Sequence, residues 1–347
     1  MLRKLALIWA IAVVAFPVIL FSCGEDESGP SGPPPTIKEE FTTDWNITIQ
    51  ESGVELTLQE VSFAPGSDHV WVVGNEGTIL HTADRGQTWE PQVSGVSGTL
   101  YSVYFVNENE GWAVGDGGTI IRTEDGGATW ETQNSGITQP LRGLFFANNS
   151  EGWAAGGGGI IISTRDGGLE WNPQDSGINQ DLEAIYFAPP KPGEVVVNQG
   201  WAVGLNTYII HTGGGGRWTR QPAGRGFTNE PLYGVFFAND KKGWAVGRLG
   251  PAILNTSNGG QTWDQSAAVD AGGKALYDVF FITAADGWAV GSGAKILHSP
   301  DGRVWNGIKT ESIQDLKDVL WAVAFASAEE GWAVGDNGTI LHIEKAQ

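Results

Sequence analysis

The sequence predicts an all-β protein, a seven-bladed β-propeller with four strands per blade. Three observations carry this. A Trp-Ala-Val-Gly phrase recurs seven times, at Trp71 (as Trp-Val-Val-Gly), Trp112, Trp153 (as Trp-Ala-Ala-Gly), Trp201, Trp244, Trp288 and Trp332, in steps of 41 to 48 residues. Each unit contains short strand-like runs punctuated by glycine. The last unit stops one run early, and a matching run stands near the N-terminus. A fixed period of this length with four short strands per unit is the mark of a propeller.

The second unit serves as template. Leu100-Tyr101-Ser102-Val103-Tyr104-Phe105 is rich in β-formers and reads as strand a; Gly111-Trp112-Ala113-Val114-Gly115 is strand b. A glycine hairpin at Asp116-Gly117-Gly118 leads to strand c at Thr119–Thr123, and strand d begins at Trp130. The segment joining c to d, Thr123 to Trp130, matches the Asp-box, Ser/Thr-x-Asp-x-Gly-x-Thr-Trp. A related copy ends at Trp89, a third ends at Trp171 with Glu170 for Thr, and the copy ending at Trp263 has Asn258 for Asp. The copies ending at Trp305 and Trp218 are one residue short, the first keeping Asp301 and the second carrying only glycines there. A carboxylate in a tight turn accepts backbone N–H bonds and the tryptophan fills space between strands, so the box is expected to be structural.

The seventh unit, Leu320 to Ile343, ends after strand c, and Asp44–Ile49 repeats the Trp-then-strand pattern. An N-terminal outer strand added to the last blade closes the ring and removes the exposed edges of an open sheet. Blade 4 departs from the pattern in a long a–b connection, Pro189 to Gln199.

Composition agrees. The 347 residues include 51 glycines and 16 tryptophans, suited to many turns and many large apolar anchors. The formal charge is -20, from 40 acidic and 20 basic residues, which argues against nucleic acid as a partner. The sole cysteine, Cys23, excludes an intramolecular disulfide. It follows a basic pair, Arg3 and Lys4, and an apolar run, Leu5–Leu20, so residues 1–22 read as a signal peptide. Leu20-Phe21-Ser22-Cys23 resembles a bacterial lipobox, which makes Cys23 the expected lipidation site and the protein an exported, membrane-anchored lipoprotein. Residues 23–40, with an acidic cluster and a Gly/Pro/Ser run, form an extended linker to a propeller over 41–347.

Seven such tryptophan strands combined with Asp-boxes, over residues 41 to 347, resemble the photosystem II stability/assembly factor propellers. The resemblance implies a non-catalytic, protein- or peptide-binding assembly factor, since members in photosynthetic organisms help assemble photosystem II by binding a reaction-centre subunit precursor. A monomer without a cofactor is expected.

The candidate partner site follows from aligning the seven a strands on their terminal phenylalanine. Five positions earlier every copy has leucine, which is core. Four positions earlier the residues diverge: Gln59, Tyr101, Arg142, Glu183, Tyr233, Tyr277 and Trp321. A repeat that keeps its core while varying one rim position suggests a differentiated binding surface, and aromatic and arginine side chains are good anchors; packing between blades is the plainer reading. Arg220 and Arg225 at the end of blade 4 and Arg248 in the b–c hairpin of blade 5 are expected to form, with Arg142, a positive patch on the same face, suited to carboxylate or phosphate groups; solvated surface charge is the plainer reading.

Three other readings bear on chemistry. His81, His211, His298 and His342 share one place in strand c, but blades stand about 10 Å apart, too far for side chains to share an ion at about 2 Å; no metal site is expected. Glu183, Asp278 and Glu60 lie in a strands near the channel, so a cell-surface carbohydrate-binding or glycoside-hydrolysing, sialidase-like propeller is the alternative function. An inert surface protein is the third.

Overall fold

The computed structural model describes residues 44–190, 197–214, 216–223, 229–248, 252–268 and 274–346. The segments expected to be a signal peptide and a linker, with Cys23, as well as Arg225 and residues 191–196 of the blade 4 connection, lie outside them. Among the described residues no helix is long and apolar enough to cross a membrane.

Seven antiparallel four-stranded blades stand in a ring. Blade 2 is built of Leu100–Phe105, Gly111–Gly115, Ile120–Thr123 and Glu131–Gln133, within a residue or two of the sequence expectation. The b–c connection is a short 3-10 turn, Asp116–Gly118. Blade 7 takes Leu320–Phe325, Glu330–Gly335 and Ile340–Lys345 from the C-terminus. Its outer strand is Trp45–Gln50, which pairs antiparallel with Ile340–Lys345. Closure is thus as the count of strands predicts. Blades 5 and 6 are further joined by a parallel contact between their outer strands, Ala267–Ala268 against Val304–Trp305.

The repeated residues make the interfaces between blades. Phe105 of blade 2 lies between two indoles. Trp71 from blade 1 stacks on it at 3.5 Å between ring centroids and 9° between planes, and the Asp-box Trp130 meets it edge-on at 5.9 Å and 89°. The same sandwich recurs at Phe146, Phe187, Phe237 and Phe281. In blade 7, Trp45 takes the edge-on place against Phe325. Each contact buries two large apolar faces and adds a favourable ring–ring geometry. Hydrogen bonds tie the same parts together: Trp71 Nε1 and Gln92 Nε2 of blade 1 both donate to the Gly126 carbonyl of the next Asp-box, and Trp130 Nε1 donates back to Gln92.

The last glycine of the phrase is required for space. A Cβ on Gly115 would lie 2.1 Å from the Thr99 carbonyl oxygen, although its φ of -166° is ordinary extended backbone. The Asp-box is a turn clasp. In blade 1 the Thr82 hydroxyl donates to Asp84 and accepts the Gly86 N–H, while the Thr88 N–H and hydroxyl donate to the two Asp84 oxygens. These bonds, led by that from Thr82, hold the Asp84 carboxyl down to about 2. The strand c histidines are also structural: His81, His211, His298 and His342 pack against the strand b tryptophan of their own blade, at centroid distances of 4.4 to 5.2 Å.

Candidate functional site

Every a strand carries the same irregularity. In blade 2, Leu100 pairs with Gly115 and Ser102 with Val114, leaving Tyr101 as an extra residue, a β-bulge. The register shifts at the same place in all seven blades, so the bulged residues are Gln59, Tyr101, Arg142, Glu183, Tyr233, Tyr277 and Trp321. A bulge re-aims its extra side chain out of the ladder. Here all seven line one central cavity of about 840 Å³. The rim singled out from the sequence is therefore a ring of bulges at a channel mouth. Its sequence signal went unread: the repeated leucine, branched aliphatic and phenylalanine of each a strand step by three and then two, as in Leu100, Val103 and Phe105. A regular strand keeps even steps on one face.

The rim divides into two arcs. On blades 2 to 4 it is polar. The Tyr101 hydroxyl donates to Asp116 of its own b–c turn at 2.9 Å. Arg142 Nη1 reaches blade 4 and bonds Asp181 and Glu183, each at 3.0 Å. Burial pushes Glu183 above the usual carboxylate range and the Arg142 charge opposes it, while the Gly158 N–H and then Arg142 hold Asp181 below it. Arg142 is thus engaged by two carboxylates rather than standing free in a positive patch. Arg248 is exposed at the start of the blade 5 b–c turn, and Arg225 lies outside the described residues. On blades 5 to 7 the rim is aromatic: Tyr233 and Tyr277 rings lie 4.9 Å apart, and Tyr277 and Trp321 rings 4.3 Å. Trp321 Nε1 donates to Asp336 of its own turn at 2.8 Å, as Tyr101 does to Asp116.

Two deeper levels were only partly foreseen. One step inside the bulges lie Glu60 of blade 1 and Asp278 of blade 6, half-buried with their free surface toward the cavity. Asp278 accepts the backbone N–H groups of Val279 at 2.8 Å and Val323 at 2.9 Å. Burial pushes its carboxyl up to about 6, and burial together with the Asp278 charge pushes Glu60 well above the carboxylate range. Of the carboxyls named for a glycosidase, Glu183 is ion-paired with Arg142, Asp278 accepts two backbone N–H groups, and Glu60 accepts the Val61 N–H at 3.0 Å. Further in, an aromatic collar missed by the sequence reading runs Tyr104, Phe145, Tyr186, Phe236 and Phe280 across blades 2 to 6, with successive ring centroids 4.7 to 5.6 Å apart.

The chain was compared with known proteins. The family model described as photosynthesis system II assembly factor YCF48 matches residues 37–133, 94–175, 127–232, 225–310 and 266–346. Photosystem II assembly protein Ycf48 of Synechococcus sp. (strain JA-3-3Ab) is 33% identical over 76 residues, 21% of this chain and 22% of that protein. Its counterpart in Synechococcus sp. (strain JA-2-3B'a(2-13)) is 31% identical over 77 residues, 21% and 23% of the two chains. The alignments thus span about a fifth of the curated relatives' length. Among solved structures, a YCF48 bound to D1 peptide superposes with a TM-score of 0.70 at 22% identity, covering 87% of this chain and 95% of that one. YCF48 from Cyanidioschyzon merolae gives 0.69 at 19%, covering 86% and 98%. A catalytically inactive virginiamycin B lyase from Staphylococcus aureus with quinupristin gives 0.70 at 14%, covering 86% and 99%. At such identities these likenesses are of fold. The family matches run across all seven blades, and the chain belongs to the photosynthesis system II assembly factor YCF48 family.

Proposed function

We propose that this protein is a non-catalytic propeller that captures a protein or peptide segment at its channel mouth and assists the assembly or stability of a membrane complex. The observation that carries this is the ring of seven bulged residues around a cavity of about 840 Å³, with Tyr101, Tyr233, Tyr277 and Trp321 as aromatic anchors and Arg142 and Glu183 as a paired charge. Membership of an assembly-factor family supports it, as does the similar fold of a relative solved with a bound D1 peptide. Arg248, exposed at the start of the blade 5 b–c turn, would extend the contact surface, and Arg225 is a further candidate from the sequence alone. In this reading the protein works as a monomer, exported and held to its membrane by lipid on Cys23. A glycosidase role is less well supported, because Glu183, one of the carboxyls it would need, is ion-paired with Arg142.

The test is a pull-down from native membranes with the full-length chain and with an Arg142, Arg225 and Arg248 triple alanine variant. A membrane-complex subunit captured by the wild type and lost from the variant is the expected result; equal capture by both would remove the arginines from the site. Cys23→Ser should move the protein from the membrane to the soluble fraction, and retention of that variant on membranes would overturn the lipid anchor.

A further inference from the structure

The cavity has a charge that the protein itself does not neutralise. Among the described residues lining it, Arg142 is the one cation, and its guanidinium is already bonded to Asp181 and Glu183. Glu60 and Asp278 face the cavity from blades 1 and 6, the two neighbours of blade 7, without a cationic partner among the described residues. Beside them, the Tyr233, Tyr277 and Trp321 rings form a continuous arc on blades 5, 6 and 7. Deeper in the channel the half-buried Tyr104 and Tyr186 also line the cavity.

The combination is selective. An anion would meet the carboxyls. A bare metal ion needs several oxygen ligands at close range, and among the described residues no cluster of three or more acidic, histidine or cysteine side chains could supply them. An organic cation uses both features: its charge is drawn to the carboxyls and to the π-faces, and its aliphatic stem packs on the rings. We propose that the channel receives the lysine or arginine side chain of a peptide segment, its charged head against Asp278 and Glu60 and its stem along the Tyr233–Tyr277–Trp321 arc. This rests on the peptide-binding reading and adds the chemistry of the side chain that enters.

Calorimetric titration of the full-length chain tests it, with the peptide acetyl-Gly-Gly-Arg-Gly-Gly-amide and the same peptide carrying citrulline, a neutral isostere. The arginine peptide should bind more tightly by at least about tenfold, the scale of a charge-assisted bond with a cation–π contact. The Glu60→Gln, Asp278→Asn double variant should bind both peptides equally while keeping a cooperative melt. Should that variant fail to fold, Trp321→Leu and Glu60→Gln separately should each shrink the preference. Equal binding of the two peptides to the wild type, or no binding of either, overturns the proposal, as does a preference retained in the folded double variant. Equal binding leaves the peptide-binding reading standing; that reading fails separately, in the pull-down.

Discussion

Blades 2 to 4 and blades 5 to 7 share their strands, their bulge and their stacked core, yet they present opposite rims. The first arc settles its polar groups internally: Tyr101 on Asp116, Arg142 on Asp181 and Glu183. The second is a run of aromatic faces, and close to it Asp278 and Glu60 lack a cation. A bulge leaves one residue per blade outside the ladder, and that residue changes without touching the packing. The ring thereby keeps its stability in one set of positions and leaves another free to vary.

The comparison can be broken first at the core. Trp112 lies under the polar arc and Trp244 under the aromatic one. Both are fully buried, and both donate Nε1 to the Asp-box glycine carbonyl of the following blade. Replacing either by alanine should cost about 3–5 kcal/mol by the cavity left behind. Urea unfolding that gave clearly unequal losses would show that the halves differ below the rim as well.

At the rim itself the two arcs should separate. Arg142→Met leaves Glu183 half-buried without its cation and should cost about 1–2 kcal/mol, between the values for exposed and buried pairs. Adding Glu183→Gln should recover part of that loss, and a double-mutant cycle in urea measures the coupling. Trp321→Leu on the aromatic arc should cost less than about 1 kcal/mol and act mainly on ligand capture. A stability loss at Trp321 as large as that at Arg142 would give the aromatic arc a structural role.

The smallest effects lie in pH. His81 sits with a ring nitrogen 2.9 Å from His69, and burial, reinforced by His69, holds it down to about 4. As pH falls the unfolded chain takes up this proton first, near 6.5, so the stability present above that value is lost progressively down to about 4. Asp278 has the opposite sign. Its carboxyl is raised from 3.8 to about 6, so the stability it contributes at acid pH is lost as pH rises through that window. Melting curves of His81→Gln should therefore gain on the wild type at pH 5 relative to pH 8. Those of Asp278→Asn should gain at pH 7 relative to pH 4. Parallel curves for either variant would remove that group from the pH response.

Much of the fold was legible because it is written seven times. Leu100, Trp112, Gly115 and Phe105 each recur at fixed offsets, and their contacts involve only their own blade and the next, so the repeat specifies them. The bulged rim was located by aligning the a strands, although the bulge was not recognised behind the uneven step from Leu100 to Val103 to Phe105. The state of Arg142 was not legible: its partners Asp181 and Glu183 belong to the next unit and carry no repeated signal. The collar of Tyr104, Phe145, Tyr186, Phe236 and Phe280 escaped notice because one aromatic per strand reads as ordinary β composition.

By itself the sequence determined the class of fold, the number of blades, the closing strand and which positions are free to vary. These follow from local periodicity and from the need to bury the same apolar face in every unit. Only the tertiary structure decided what the varied positions do together. Closing the ring brings Glu60 of the first blade and Asp278 of the sixth to one channel, and it aligns Tyr233, Tyr277 and Trp321 into a single surface. Charge and aromatic contact depend on distance in space, and in this chain that distance is set by the circumference of seven packed blades.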